Sequence, residues 1–502
     1  MDAMNKRVLK LALPSILANL TVPLVGMVDI AVAGHLDASA AALIGGVSVG
    51  SLMFDLLYWN FGFLRAGTGG MTAQAFGRSD WDECVGNLLR GVGLAFVISL
   101  VLILLQWPFQ KLIFLFVGCS EEVRTLALDY FYIRIWAAPA TLTLMAFRGW
   151  FIGMQDTFSS MLTDVIVNGG NIIFSVLITF GIAGAGLDGI GFKGIAVGTV
   201  VAQYSGLIFA SAVALRKLRK FPRRPASQLD GGLTMGEVFA KDKVRRFFSV
   251  NRDLFVRSVC LIIVYLAYMA ISAGFGDTLL ASCSIMLKLL LLFSYFTDGF
   301  AFAGEALTGR FVGMRWPNMV RLTVDYTFGW SMGIAVIFVF IYAFFGDSLL
   351  RLLTSDPAVV SAAHQFMPWL FLFPLVSCPA FTWDGIYTGA TATKPMRDSN
   401  IGCVIAFFTV WFLGNLVLPA LAPSLAATAV SAINSAVTTS STALPVVSSA
   451  APLSTPSTFL FSTTLLPSAS AHLLFAAYYA HVIYRSLYQT FLYPKSILAP
   501  LR

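Results

Sequence analysis

The sequence predicts an all-α polytopic membrane protein, with twelve transmembrane helices arranged as two six-helix repeats. Three observations carry this. Of 502 residues, 58% are hydrophobic and 12% charged, about half the ~25% charged fraction of soluble domains, and mean hydropathy is +0.80. The apolar residues gather in runs of about 20, the length that crosses a ~30 Å hydrocarbon core. Short motifs also recur at nearly constant separation along the chain.

The first run, about 8–34, follows the basic Lys6, Arg7 and Lys10. It is too long for a signal peptide and lacks a small-residue cleavage site, so it reads as a membrane helix. Further spans follow at about 40–65, 86–106, 122–149, 157–183 and 191–215, then 251–273, 278–303, 318–345, 361–387, 397–420 and 472–492. Basic residues such as Arg78, Arg90, Arg310, Arg315, Lys394 and Arg485 fall at one set of span ends. The positive-inside rule places those ends, and both termini, in the cytoplasm. Twelve Lys/Arg lie between Arg216 and Arg257, which reads as the largest cytoplasmic loop and not as a nucleic-acid surface. The expected units are a six-helix lobe over 1–217, a basic linker over 218–248 and a second six-helix lobe over 249–502.

FGFLRAG at 61–67 aligns with DGFAFAG at 298–304, an offset of 237. RGWFIG at 148–153 aligns with DGIYTG at 384–389, an offset of 236, and AGHLD at 33–37 with AGFGD at 273–277, an offset of 240. Six spans per repeat is an even number, so both repeats enter the membrane in the same sense, as in parallel-repeat transporters. The stretch 421–471 departs from this scheme. It holds 20 Ser/Thr and five Pro and no charged residue. It is expected to be a low-complexity loop outside the membrane, either an insertion or a shifted reading frame.

Asp29 is the costliest residue of the first span. A carboxylate at mid-bilayer costs ~2.5–3.5 kcal/mol on insertion scales, so such a group is a functional candidate by default. Its helix face, Ser15, Ala18, Val22, Gly26 and Ala33, is mostly small. Pro14 and Pro23 each remove a backbone hydrogen bond and favour a hinge. Asn168, Asn171 and Ser175 form a polar stripe suited to bonding another helix or Asp29; Tyr130 and Arg134 share the fourth span. Asp55 is expected to find a partner on another helix, since Arg65 is too far along its own. Asp298 and Asp384 sit at the repeated glycine motifs and are expected at helix ends, as hinge caps or solvated groups. The repeat copy of Asp29 is Met269, so the acid is not duplicated. GVSVG at 46–50 fits the GxSxG nucleophile pattern but lies in an apolar helix, where it reads as a packing motif. The six Cys and four His have no metal-ligand spacing, and no catalytic constellation appears.

Several stretches resemble the multidrug and toxic-compound extrusion (MATE) family, in the branch named for DNA-damage-inducible protein F. They are LALPSILANLTVPLVGMVDIAVAGHLD at 11–37, LYWNFGFLRAGTGGMTAQAFG at 57–77, GWFIGMQDT at 149–157, SVNRDLFVRS at 249–258, SYFTDGFAFAGEALTGRFVG at 294–313 and WDGIYTGATATKPMRDS at 383–399. The resemblance covers about 1–420 and resumes from His472. It implies two six-helix lobes in a V, and export of amphipathic or cationic organic compounds in exchange for H+ or Na+, with no other cofactor. It implies that Asp29 is the coupling acid, that Pro14 is the helix-1 hinge and that Asn171 lies near the acid, with Tyr130 and Thr199 in the same network. Ser175 stands where several relatives have a second aspartate. The expected protein is a monomer in the bacterial inner membrane. The alternatives are a lipid-linked oligosaccharide flippase, disfavoured by few intramembrane arginines, and an integral membrane enzyme.

Overall fold

The computed structural model describes residues 3–36, 40–114, 117–182, 187–221, 234–437 and 467–501. The helices are α1 (Ala3–Gly34), α2 (Ala40–Trp59), α3 (Phe63–Gly77), α4 (Trp81–Leu104), α5 (Gln106–Ile113), α6 (Glu121–Arg134), α7 (Ala138–Gly153), α8 (Thr157–Phe180) and α9 (Lys193–Leu218). After a short α10 (Met235–Val238) come α11 (Lys241–Ala273), α12 (Asp277–Gly313), α13 (Pro317–Leu353), α14 (Pro357–His364), α15 (Met367–Gly389), α16 (Thr393–Val437) and α17 (Pro467–Tyr493). A two-residue antiparallel pair, Gly181–Ile182 with Leu187–Asp188, is the extended structure among the described residues.

Pairs α2/α3 and α6/α7 are each joined by one turn of 3-10 helix into a single crossing, Ala40–Gly77 and Glu121–Gly153. Among the described residues, 11 helices are long and apolar enough to cross a membrane. The 27-residue α17, packed on α15 and α16, stands in the place of the twelfth expected span. α1 stays one unbroken helix through Pro14 and Pro23.

One expectation is corrected here. The helix α16 runs on through Val437, into the stretch expected to be a loop from 421. Its backbone there carries six alanines, the residue with the highest helix propensity. Residues 438–466 of that stretch lie outside the described residues.

Small residues let helices meet backbone to backbone at one end of the molecule, the end carrying Arg78, Arg310 and Arg315. Within the first half, a Cβ on Gly149 of α7 would overlap the Arg65 carbonyl of α3; within the second, a Cβ on Gly385 of α15 would overlap the Ala301 carbonyl of α12. Between the halves the contacts are reciprocal. Gly77 meets the Arg310 carbonyl, Gly313 meets the Gln74 carbonyl, and Gly309 faces Ala73. Hydrogen bonds repeat the exchange: Gln74 Nε2 donates to Thr391 Oγ1 at 3.0 Å, and Arg310 Nη1 to Gln155 Oε1 at 2.7 Å. Each contact and its reciprocal exchange residues that are 236 apart (77 with 313, 74 with 310, 155 with 391). The FGFLRAG and DGFAFAG segments therefore superpose one residue away from their 237 letter alignment. Two glycines shared by eye are weaker register markers than a packed backbone contact.

The apolar core that joins the halves contains Val8, Leu11 and Ile16 of α1, Leu64 of α3, Leu254 of α11, Leu307 of α12 and Ile386 of α15.

Four helices end alike. Two residues beyond Gly77, Gly153, Gly313 and Gly389 stand Ser79, Gln155, Arg315 and Thr391, all left-handed at φ 56°, 59°, 54° and 50°. In each turn the next amide reaches back five residues, as Asp80 N–H does to the Ala75 carbonyl at 2.9 Å, the longer bond of a Schellman cap. The following helices of the first half are capped by Asp80 and Asp156. Burial favours the neutral form of Asp156, but the Lys217 ammonium at 2.6 Å and the Ser159 amide hold its carboxyl below the usual range. A left-handed residue with a Cβ costs roughly 1–2 kcal/mol, part of which glycine returns as unfolded-chain entropy. Ser79 is exposed, so Ser79→Gly should raise stability by about 0.5–1 kcal/mol. Thermal denaturation of the detergent-solubilised protein measures it; a fall in the midpoint would show that the serine side chain stabilises the turn.

Candidate functional site

Asp29 is buried, 2% exposed, inside the first half. Its Oδ2 accepts a long bond from the Tyr130 hydroxyl at 3.4 Å, while Oδ1 has no hydrogen-bond partner among the described residues. Tyr130 in turn accepts from Arg134 Nη1 at 2.8 Å. Arg134 lies over the Phe54 ring and also reaches Ser51 at 3.5 Å. An acid, a phenol and a guanidinium thus form a chain from α1 into α6. The glycines of GVSVG make room for it: a Cβ on Gly46 would lie 2.6 Å from Leu126, and on Gly50 2.5 Å from the Tyr130 ring. The motif packs α2 on α6.

The polar stripe of α8 faces the same region but is only partly spent on Asp29. Asn171 Nδ2 donates to Thr199 Oγ1 at 2.7 Å, leaving Asn171 Oδ1 without a partner. Asn168 donates to Thr21 at 2.5 Å, two residues before Pro23. Ser175 lies within reach of the Asp29 carboxyl and donates to the Ile195 carbonyl at 3.3 Å. Small residues again set the spacing, because Gly198 of α9 sits directly on the Ser175 backbone. The arrangement offers a buried carboxylate and one amide oxygen, Asn171 Oδ1, lacking a donor among the described residues, which suits a proton or a small cation.

Asp55 does not pair with Arg65. It is exposed, in electrostatic reach of Arg134 on its own half and of Tyr265 and Tyr295 on the other. Arg65 instead crosses between the halves to Glu305, 2.9 Å away.

A second charged group surrounds a cavity of about 330 Å³ between the halves, lined by α3, α11, α12, α15 and α17. Asp298 and Asp384 were expected at helix ends. They lie instead within the 37-residue α12 and the 23-residue α15, and both line the cavity. Arg257 Nη2 stands 2.5 Å and Arg485 Nη1 3.4 Å from Asp384 Oδ2. The sequence reading assigned no site role to Arg65, Arg257 or Arg485. In the sequence Arg257 closes the basic run that begins at Arg216 and Arg485 falls among the cytoplasmic span ends, yet each lies inside a helix that lines the cavity. That placement was the available signal. Asp29 with its partners occupies the first half, and the structure does not bring it together with Asp298 or Asp384.

Comparison with known proteins follows this architecture. The MatE family model matches residues 14–177 and 254–413, one stretch in each half. The chain is 31% identical over 415 residues to DNA damage-inducible protein F of Escherichia coli K12, covering 82% of this chain and 87% of the relative. It is 23% identical to a probable multidrug resistance protein NorM of Thermotoga maritima, covering 81% and 83%. Among solved structures, a MATE protein in complex with MaL6 superposes with a TM-score of 0.75 at 14% identity, covering 100% and 97% of the two chains. An outward-facing multidrug resistance MATE transporter superposes at 0.71 with 16% identity, covering 100% and 97%.

Proposed function

Because the chain belongs to the MATE transporter family, we propose that it is a secondary active multidrug efflux antiporter, with Asp29 as its coupling acid. The observation that carries this reading is the Asp29 carboxyl itself. It is buried in an apolar helix, one oxygen without a hydrogen bond among the described residues and the other held by a long bond to Tyr130, with the Ser175 hydroxyl nearby. A group so placed has different surroundings in any second conformation, and such a difference is the only means by which an ion drives a conformational equilibrium.

The cycle has few parts. Ionised Asp29 holds the Tyr130–Arg134 chain by charge and favours occupation of the first half by an amphipathic or cationic compound, which the exposed Asp55 attracts. Uptake of H+ or Na+ at Asp29 neutralises it, releases Tyr130 and lets α1 repack around Pro14 and Pro23. The substrate is then released on the far side. Asn171, Thr199 and Asn168 hold α8 and α9 in register beside the acid. The basic end faces the cytoplasm of a bacterial inner membrane, with both termini inside.

Three arginines, Arg65, Arg257 and Arg485, line the cavity, a feature that favours the flippase alternative. The cavity's volume argues against that: about 330 Å³ matches small-molecule sites of about 300–1,000 Å³ and not a many-sugar headgroup. The test is efflux of ethidium from proteoliposomes with pH and sodium gradients collapsed separately. Loss with one gradient identifies the coupling ion; efflux indifferent to both would overturn the proposal.

A further inference from the structure

We infer that the cavity between the halves holds a second ligand site, which takes the carboxylate of an amphipathic organic anion between Arg257 and Arg485. This deepens the transport reading by naming a substrate class, and it concerns a site remote from Asp29.

The argument begins with charge. Buried ions within apolar spans are expensive, and three arginines and three acids line this one cavity. Arg65 and Glu305 are matched one to one at 2.9 Å. At Asp384 the ratio differs: Arg257 and Arg485 share a single oxygen, Oδ2, while Gln489 donates to Oδ1 at 3.4 Å. Asp298 offsets the second guanidinium only at longer range, since no ion pair joins it to either arginine among the described residues. Two guanidiniums thus share one carboxylate oxygen at this spot.

The hydrogen-bond inventory agrees. Arg257 Nε and Arg485 Nε are both buried and lack acceptors among the described residues. The Arg485 side chain is 2% exposed, so an unfilled N–H there is costly. Arg485 is fixed in place over the Phe381 ring, 5.5 Å from its centroid. A guanidinium pairs with a carboxylate through two parallel N–H bonds. Asp384 receives one contact from each arginine and so leaves half of that capacity unused. A ligand carboxylate would take up N–H capacity of the two guanidiniums that Asp384 leaves unused.

The walls specify the rest of the ligand. Trp59, Tyr265, Phe302, Phe381 and Tyr478 enclose the cavity, so a flat apolar body fits beside the charged head. Trp59 comes from the first half and the others from the second. Occupation would therefore bridge the halves.

The test uses full-length protein in nanodiscs and three radiolabelled probes: 2-naphthylacetate, its neutral amide, and a naphthylmethyl trimethylammonium. Equilibrium dialysis should show the carboxylate binding about tenfold or more tighter than the amide, the value of a charge-assisted pair. Arg485→Gln should remove that preference. Asp384→Asn should tighten carboxylate binding, because it deletes the competing internal carboxylate. This variant decides the matter even where Arg485→Gln fails to fold. Equal binding of carboxylate and amide, preference for the ammonium probe, or weaker carboxylate binding in Asp384→Asn would each overturn the inference. Binding is read without transport, so a failure of ion-coupled efflux would leave this result standing, and the reverse.

Discussion

Asp29→Asn should abolish ion-driven accumulation while leaving the protein folded. Asparagine keeps the shape of the side chain and removes the charge. The carboxyl it replaces has one oxygen without a partner and one long bond to Tyr130, so little native hydrogen bonding is lost. What disappears is the exchangeable site. One pH unit across the membrane is worth about 1.4 kcal/mol per proton, which in one-for-one electroneutral exchange sustains about a tenfold substrate ratio. With asparagine that ratio should fall to unity at any imposed gradient, and facilitated equilibration should remain. Proteoliposomes loaded with ethidium under a stepped pH or sodium gradient give the ratio directly. A variant that still concentrates dye against its gradient would remove Asp29 from the coupling role. Tyr130→Phe is the companion measurement: it keeps the acid and cuts its link to Arg134, so coupling should weaken without vanishing.

Much of the architecture was legible because a bilayer imposes simple rules. Long apolar runs had to be helices, and a lone Asp29 in one of them stood out by its cost. Asn171 and Thr199 were named through a family resemblance, and the structure places them 2.7 Å apart. Other features left little local trace. Arg65 and Glu305 are 240 residues apart, and Arg257 and Asp384 127; a pairing over that separation exists only once the helices are packed. Arg257 and Arg485 were also masked by position, because basic residues near span ends have an ordinary explanation in the positive-inside rule. The four left-handed turns escaped notice because Ser79, Gln155, Arg315 and Thr391 occupy places where glycine is the usual signal. The length of α16 was missed for the opposite reason. A Ser- and Pro-rich composition suggested a loop, while its alanines carried the helix further.

The glycine contacts separate two kinds of damage, and a pair of valine substitutions should reveal the difference. Gly385→Val drives a side chain into the Ala301 carbonyl within the second half. That contact holds one bundle together whatever the halves do, so the variant should lose stability outright, by about 1–3 kcal/mol for overpacking. Gly313→Val meets the Gln74 carbonyl across the halves, at the seam where Gln74 bonds Thr391 and Arg310 bonds Gln155. A transporter that alternates must break this seam in its other state. The same clash then penalises only the closed arrangement, and relief is available by opening. A penalty of 1–3 kcal/mol on one state moves the equilibrium about 5–150-fold. Gln74→Cys supplies a buried reporter, smaller than the residue it replaces. Maleimide labelling at that position should rise steeply in the Gly313→Val background, with a melting temperature near that of the parent. In the Gly385→Val background the melting temperature should fall and labelling should follow unfolding only. Equal thermal losses in both variants, with no gain in labelling for Gly313→Val, would mean that the seam is a permanent interface and that alternation occurs elsewhere.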